Sequence, residues 1–215
     1  MLLRGIGPSL AQFGVTNALA DPVLELHGPV GFTTIVNNNW GDRQASAIMA
    51  TGIPPTNNLE SAILETLDPG AYTAIVRGNN DASGVGLVEV YDLGPAASKL
   101  ANISTRAFVS TGANVMIGGF ILGGGANSRI EILGIGPSLA ASGVSGALAD
   151  PTLELRDSNG ALLASNDNCG TISIHPLDPA EACIDISLPS GLFTAILAGK
   201  NGGTGTGLVE IYNLE

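Results

Sequence analysis

Two cysteines, two histidines and a pair of serines carried in the same hexapeptide are the first residues here whose types suggest chemistry. Ser9 and Ser138 both sit in "GIGPSL". A serine nucleophile needs a base beside it, yet His27 and His175 do not occupy matching places, and no G-x-S-x-G elbow occurs. The two hydroxyls therefore read as turn or strand-end groups, and no catalytic residue is assigned. Cys169 and Cys183 bracket a Pro-, Asp- and Gly-rich segment without the further ligands of a zinc site. They read as a disulfide, worth roughly 3 kcal/mol by chain entropy and implying an oxidising compartment. The alternative is two free buried thiols. Asn166, Asp167 and Asn168, or Asp157 and Asn159, offer hard oxygen ligands of the kind calcium takes. The same residue types are favoured at tight corners for backbone reasons, and no metal or other cofactor is assigned. Acid pairs for glycoside hydrolysis do not emerge from the spacing.

Three more features complete this inventory. "GGFILGGGANS" is glycine-rich, but it lacks Gly-Lys-Ser and a following helix, so it reads as a strand corner rather than a phosphate loop. Trp40, the sole tryptophan, is either a sugar-stacking platform or a packing residue at a corner. Asn102 opens the sequon "NIS", a candidate glycosylation site.

The elements that position these residues are legible from composition. The 215 residues are rich in aliphatic side chains, poor in aromatics, and carry 30 glycines. Short strands joined by tight turns need that mixture. The formal charge is −11, shared by both halves, which disfavours nucleic acid and anionic lipid as partners. No apolar run reaches the ~18 residues of a membrane helix, so no membrane insertion is expected. "MLLRGIGPSLAQFG" has too short an apolar run for a signal peptide. The expectation is either a cytosolic chain or one whose leader precedes this numbering, and the cysteines favour the second.

Self-similarity organises the rest. "GIGPSLAQFGVTNALADPVLEL" from Gly5 matches "GIGPSLAASGVSGALADPTLEL" from Gly134, and "TAIVRGNNDASGVGLVEVYDL" matches "TAILAGKNGGTGTGLVEIYNL". The length difference falls where one copy has "GDRQASAIMATGIPPTNNLE" and the other "GTISIHPLDPAE"; "RQASAIMATG" is expected to form a helical turn or two. Between the landmarks, period-two runs such as "VLELH", "TLELR", "SAILETL" and "CIDISL" alternate with turn residues. This is the pattern of a β-sandwich or barrel. An all-β fold of two tandem sandwiches is expected, over residues 1–95 and 96–215.

The phrases "GIGPSL", "ALADPxLEL", "ANISTRAFV", "MIGGFIL" and "LVEVYDL" resemble a tandem repeat of long predicted secreted proteins of environmental bacteria. The resemblance spans nearly the whole chain. It implies Ig-like sandwich units and export to the cell surface or beyond, and it brings no catalytic residues. In such arrays the unit runs from "LANISTR" to "VEVYDL", as the second copy does here.

The first copy departs from that pattern. The second has "KLANISTRAFVSTGANVMIGGFILGGGANSRIEIL" before its "GIGPSL", with two strands expected in it; the first has only Met1 to Arg4 before Gly5. A sandwich short of two strands exposes an edge of unpaired N–H and C=O groups and a strip of core. On a strand of about ten residues, some five side chains face inward, each worth roughly 1.5–3 kcal/mol on burial. Ordering the strand costs about 1–2 kcal/mol per residue. Three arrangements follow: a strand from another chain completes the first sandwich, the missing strands lie upstream in a longer array, or "KLANISTRAFV" closes the first copy from behind. The first is preferred, with Met1–Leu10 as donor through Leu2, Leu3, Ile6 and Leu10. Heterologous donation that does not close yields a filament. The expected protein is a non-enzymatic, extracellular fibril subunit that polymerises with itself. The rival is a monomeric surface adhesin or carbohydrate-binding module with glycans as partners.

Overall fold

In "PTLELRD" the alternation buries Pro151, Leu153 and Leu155 on one face and turns Glu154 and Arg156 to the other, as in a strand covered on one side only. A computed structural model of the chain describes residues 1–94, 100–174, 176 and 178–214. It forms two units, Met1–Lys99 and Leu100–Glu215. The expected boundary at 95/96 lies outside the described residues, as does His175.

Unit 1 contains β1 (Leu2–Ile6), β2 (Pro22–His27), β3 (Ile35–Asn37), α1 (Ala45–Ala50), β4 (Ser61–Leu64), β5 (Thr73–Gly78) and β6 (Leu87–Tyr91). Unit 2 contains β7 (Asn102–Val109), β8 (Met116–Leu122), β9 (Ser128–Ile135), α2 (Pro137–Ala141), β10 (Pro151–Asp157), β11 (Leu162–Asn166), β12 (Ala182–Leu188), β13 (Gly191–Gly199) and β14 (Gly205–Asn213). The two sheets of unit 2 run β12-β9-β14-β7 and β11-β10-β13-β8; those of unit 1 run β4-β1-β6 and β3-β2-β5. The named ladders are all antiparallel. The tandem sandwiches are as expected, and among the described residues the first has no counterparts of β7 and β8. In unit 2 the eight strands form two four-stranded antiparallel sheets packed as a sandwich, the double-sheet arrangement that jelly rolls share.

Each core lies between its two sheets. In unit 2, Ile130, Ile132, Leu153, Leu155, Leu197 and Val209 pack together, with the rings of Phe120 and Phe193 stacked 5.4 Å apart. Unit 1 has a smaller cluster of Leu3, Leu24, Leu26 and Ile63, and a second of Leu2, Ile48 and Ala62 capped by Trp40. Ile48 comes from α1, the helical turn expected in the longer loop of the first copy. Of the segment "FTTIVN", only Ile35–Asn37 pairs with β2.

Candidate functional site

The hexapeptide "GIGPSL" begins a loop that wraps around a buried carboxylate in both units. In unit 1, Glu60 accepts from the backbone N–H of Gly7 (3.1 Å), Ser9 (3.0 Å) and Asn57 (3.3 Å), and from the Ser9 hydroxyl. In unit 2, Glu181 accepts from the N–H of Gly136 (3.3 Å), Ser138 (2.9 Å) and Asp178 (3.4 Å), and from the Ser138 hydroxyl. Both glutamates are fully buried, so their lone pairs go to donors that the loop would otherwise leave unsatisfied. Gly7 and Gly136 are required there, because a Cβ would lie 2.1 and 2.2 Å from the carbonyl oxygens of Leu19 and Leu148. Ser9 and Ser138 thus serve structure, as expected. The glutamates were missed, although Glu60 and Glu181 each close the loop before an aligned strand in both copies.

The remaining sequence candidates disperse. His27 contacts Glu25 and Thr34, both at 3.2 Å, on the outer side of β2. Cys169 and Cys183 form the disulfide, the pairing cysteines adopt in an oxidising compartment. The oxygen-ligand candidates are otherwise engaged: Asn166 accepts from the N–H of Cys183 at 2.9 Å, and Asp167 pairs with Lys200 at 3.0 Å. Asp157 caps its own turn through the N–H groups of Asn159 and Ala161. Among the described residues no group of three His, Cys, Asp or Glu converges as a metal site. Trp40 packs against the Leu2, Ile48 and Ala62 cluster and donates its indole N–H to Asn57, which is a packing role. Asn102 is exposed at the start of β7. No helix among the described residues is long and apolar enough to cross a membrane.

The strand expected as donor is paired on both edges within its own sheet. Leu2, Leu3 and Ile6 are buried in β1, which is the central strand of its own sheet, paired with β4 on one side and β6 on the other. Arg4 fastens it further: its guanidinium pairs with Glu89, donates to the Tyr91 hydroxyl (3.0 Å) and to the Ile53 carbonyl (2.8 Å), and lies over the Tyr91 ring. Leu10 is not in the strand at all but in the 3-10 turn Pro8–Phe13. The physical reason is registry. Met1 to Ile6 align with the last residues of β9, a central strand, so withdrawing them breaks two ladders rather than none. The third arrangement fails as well, because Asn102–Val109 pairs with β14 of unit 2.

What the alignment did locate is the gap. In unit 2 β7 adds to β14 and β8 adds to β13, so one strand–turn–strand clip covers the same side of both sheets. The counterparts of β14 and β13 in unit 1 are β6 and β5, which pair only with β1 and β2 among the described residues. The paired sequences are nearly the same: "GLVEVY" against "GLVEIY", and "TAIVRG" against "TAILAG". Their environments are not. Val209 and Ile211 are 1% and 5% exposed, whereas Val88 and Val90 in the matching places are 38% and 37% exposed. Side chains shaped for a core thus face solvent along one open side of unit 1, beside two free strand edges.

No family model matches the chain, and no curated protein does. Among solved structures, it is similar to the pre-peptidase C-terminal domain of a collagenase from Bacillus anthracis: 12% identity, 51% of this chain and 88% of that one, TM-score 0.36. It is also similar to the VP2 subviral particle of infectious bursal disease virus: 9% identity, 99% of this chain and 55% of that one, TM-score 0.22. Likeness this weak says nothing about activity or assembly here.

Proposed function

We propose that this protein is a non-enzymatic structural subunit of an extracellular bacterial filament, in which β-strands of a neighbouring repeat polypeptide complete unit 1. The observation that carries the reading is the exposure of Val88 and Val90 beside the unpaired edges of β5 and β6, where unit 2 keeps the same positions covered. An open edge with an apolar strip beside it favours strand addition. Such a contact is heterologous, and heterologous contacts propagate into a filament where each subunit also carries a donor segment and the rotation does not close. The disulfide supports the extracellular assignment, because it persists outside the cell and not in a reducing cytosol. The N-terminal strand does not serve as donor in this reading; it stays at the centre of its own sheet.

Electron microscopy of the native material tests this. Filaments are expected from the wild-type chain, and few or none when the producing cell carries Val88→Lys with Val90→Lys, which set charge along the acceptor strip. Isolated particles from native material, or undiminished filaments from the double variant, would overturn the reading. Saturable glycan binding by those isolated particles would instead favour an adhesin.

A further inference from the structure

Unit 2 sets an ammonium between two carboxylates at one end of a sheet. Asp150 precedes β10, Asp167 follows β11 and Lys200 follows β13. Lys200 Nζ lies 3.0 Å from Asp167 and 3.6 Å from Asp150, and the Lys200 N–H donates to the Asp150 carbonyl at 2.9 Å. Unit 1 repeats this backbone residue for residue. Pro22 faces Gly78 and Leu24 faces Asn37, as Pro151 faces Gly199 and Leu153 faces Asn166. The Asn79 N–H likewise donates to the Asp21 carbonyl, at 2.8 Å. Asp21, Asn38 and Asn79 therefore hold the places of Asp150, Asp167 and Lys200. The positive charge has no counterpart among them: Asn79 reaches Asp21 Oδ2 with a neutral amide, at 2.8 Å.

The oxygens of this corner are left over. Asp21 Oδ1, Asn38 Oδ1 and Asn39 Oδ1 are shielded from solvent and have no hydrogen-bond donor among the described residues. Asn38 and Asn39 run on from Asn37 alongside Val23 and Pro22, towards Asp21. The Asn39 amide is oriented by its Nδ2, which donates to Asp42 at 3.1 Å. In unit 2 only Asp150 Oδ1 is of this kind, and its carboxylate already has the ammonium beside it. Buried oxygens without donors are costly, and here one of them belongs to an anion. We propose that unit 1 binds one calcium ion through Asp21, Asn38 and Asn39, in the place that the Lys200 ammonium takes in unit 2. Carboxylate and amide oxygens are the hard ligands calcium takes, with water completing six to eight positions in flexible geometry, whereas magnesium demands a near-ideal octahedron. With a single charged ligand the affinity falls at the weak end, about 10⁻⁴–10⁻³ M, the range of extracellular modules. The site lies within unit 1 and is independent of whether another chain covers that unit.

The test is calcium titration of the whole chelator-stripped protein, read by calorimetry and by terbium luminescence excited through Trp40, which follows Asn39 in the chain. One ion per chain is expected, half-saturating at about 10⁻⁴–10⁻³ M calcium, with calcium displacing terbium. Asn38→Asp with Asn79→Lys writes the ion pair of unit 2 into unit 1, and should abolish binding while Trp40 emission stays native. Asp21→Asn should weaken binding by about tenfold or more, since it removes the one charged ligand. In the wild type, about 10 mM calcium should raise the melting temperature reported by Trp40, because an ion that binds only the folded unit stabilises it; magnesium at the same concentration should raise it less. If both variants unfold, this shift decides. No binding at about 10 mM calcium, wild-type affinity in either folded variant, or no calcium-dependent shift in the Trp40 melt would each overturn the proposal.

Discussion

Units 1 and 2 are two solutions built on one template, and their shared parts differ in kind from their divergent ones. Common to both is the buried knot in which Glu60 or Glu181 gathers the N–H groups of the "GPS" loop. Common too is an asparagine clamp: Asn37 accepts from Ala62, and Asn166 from Cys183, both at 2.9 Å. The divergent parts lie at one corner and one side. At the corner, unit 2 joins Cys169 to Cys183, whereas unit 1 has Trp40 packed in a cluster with Ala62 in the equivalent places. The backbone around the two is alike: Trp40 N–H bonds to Glu60 O at 2.8 Å, and Cys169 N–H to Glu181 O at 2.5 Å. On the side, unit 2 wears its clip, and among the described residues unit 1 has none. Polar satisfaction of the loop is what the fold requires of both units, while staple and cover are free to vary.

The sharpest way to break the likeness is to remove the knot from each unit. Glu60→Ala leaves the N–H groups of Gly7, Ser9 and Asn57 without their acceptor, at about 1–3 kcal/mol for each that stays buried. Against a domain stability on the order of 5–15 kcal/mol, unit 1 with its open side is expected to unfold. Glu181→Ala removes the matching bonds from a unit that keeps its clip and disulfide, and is expected to weaken it without unfolding it. Trp40 is the only tryptophan, so its emission reports unit 1 alone, and limited proteolysis read by mass spectrometry follows unit 2. Equal losses in the two units would show that cover and staple contribute little.

Reduction of Cys169–Cys183 should cost unit 2 about 3 kcal/mol and leave the Trp40 signal unmoved. The converse graft sharpens the point. Trp40→Cys with Ala62→Cys places a thiol pair where unit 2 has its disulfide. The pair is expected to close, as alkylation and mass measurement would reveal. The lost tryptophan packing costs about 3 kcal/mol and the new bond returns about as much. Unit 1 of the oxidised variant should therefore melt near the wild-type temperature, and well below it after reduction.

Much of this was readable beforehand, and what was not has a common cause. The alternation in "TLELR" says which face of a strand is buried, and the paired phrases say where each unit begins again. Sandwich class, tandem order, the disulfide and the helical turn at Ala45–Ala50 all follow from such local signals. Which strand lies beside which is a non-local fact, since period-two alternation fixes a face and not a neighbour. Alignment therefore found that unit 1 lacks the counterparts of β7 and β8. It did not show that Met1–Ile6, next to the gap in sequence, lies at the centre of a sheet in space. The Glu60 and Glu181 knot escaped for a related reason: a glutamate before a strand looks like surface charge until the loop that buries it is folded over it.

The smallest effect concerns acid, and it too separates the units. Asp157 is held below its ordinary range by the backbone N–H groups of Ala161 and Asn159, Asp167 by its bond to Lys200, and Asp185 by its bond to Arg129; all three belong to unit 2. In unit 1, Glu25 is lowered by Arg77 and then His27, while Gly28 stands where unit 2 has Asp157. A carboxyl whose folded pKa lies below its unfolded value adds stability that is complete above the unfolded value and vanishes as pH falls through the folded one. Between about pH 5 and pH 2, unit 2 should therefore lose more stability than unit 1 from these groups. Salt divides the loss further. The ion pairs of Asp167 and Asp185 are exposed and screened at high ionic strength, whereas Asp157 is lowered by fixed backbone dipoles in its own turn. Acid titration of unit 2 in about 1 M salt should thus retain the part that Asp157→Asn abolishes. A titration made flat by salt alone would place the whole acid response in the ion pairs and none in the turn.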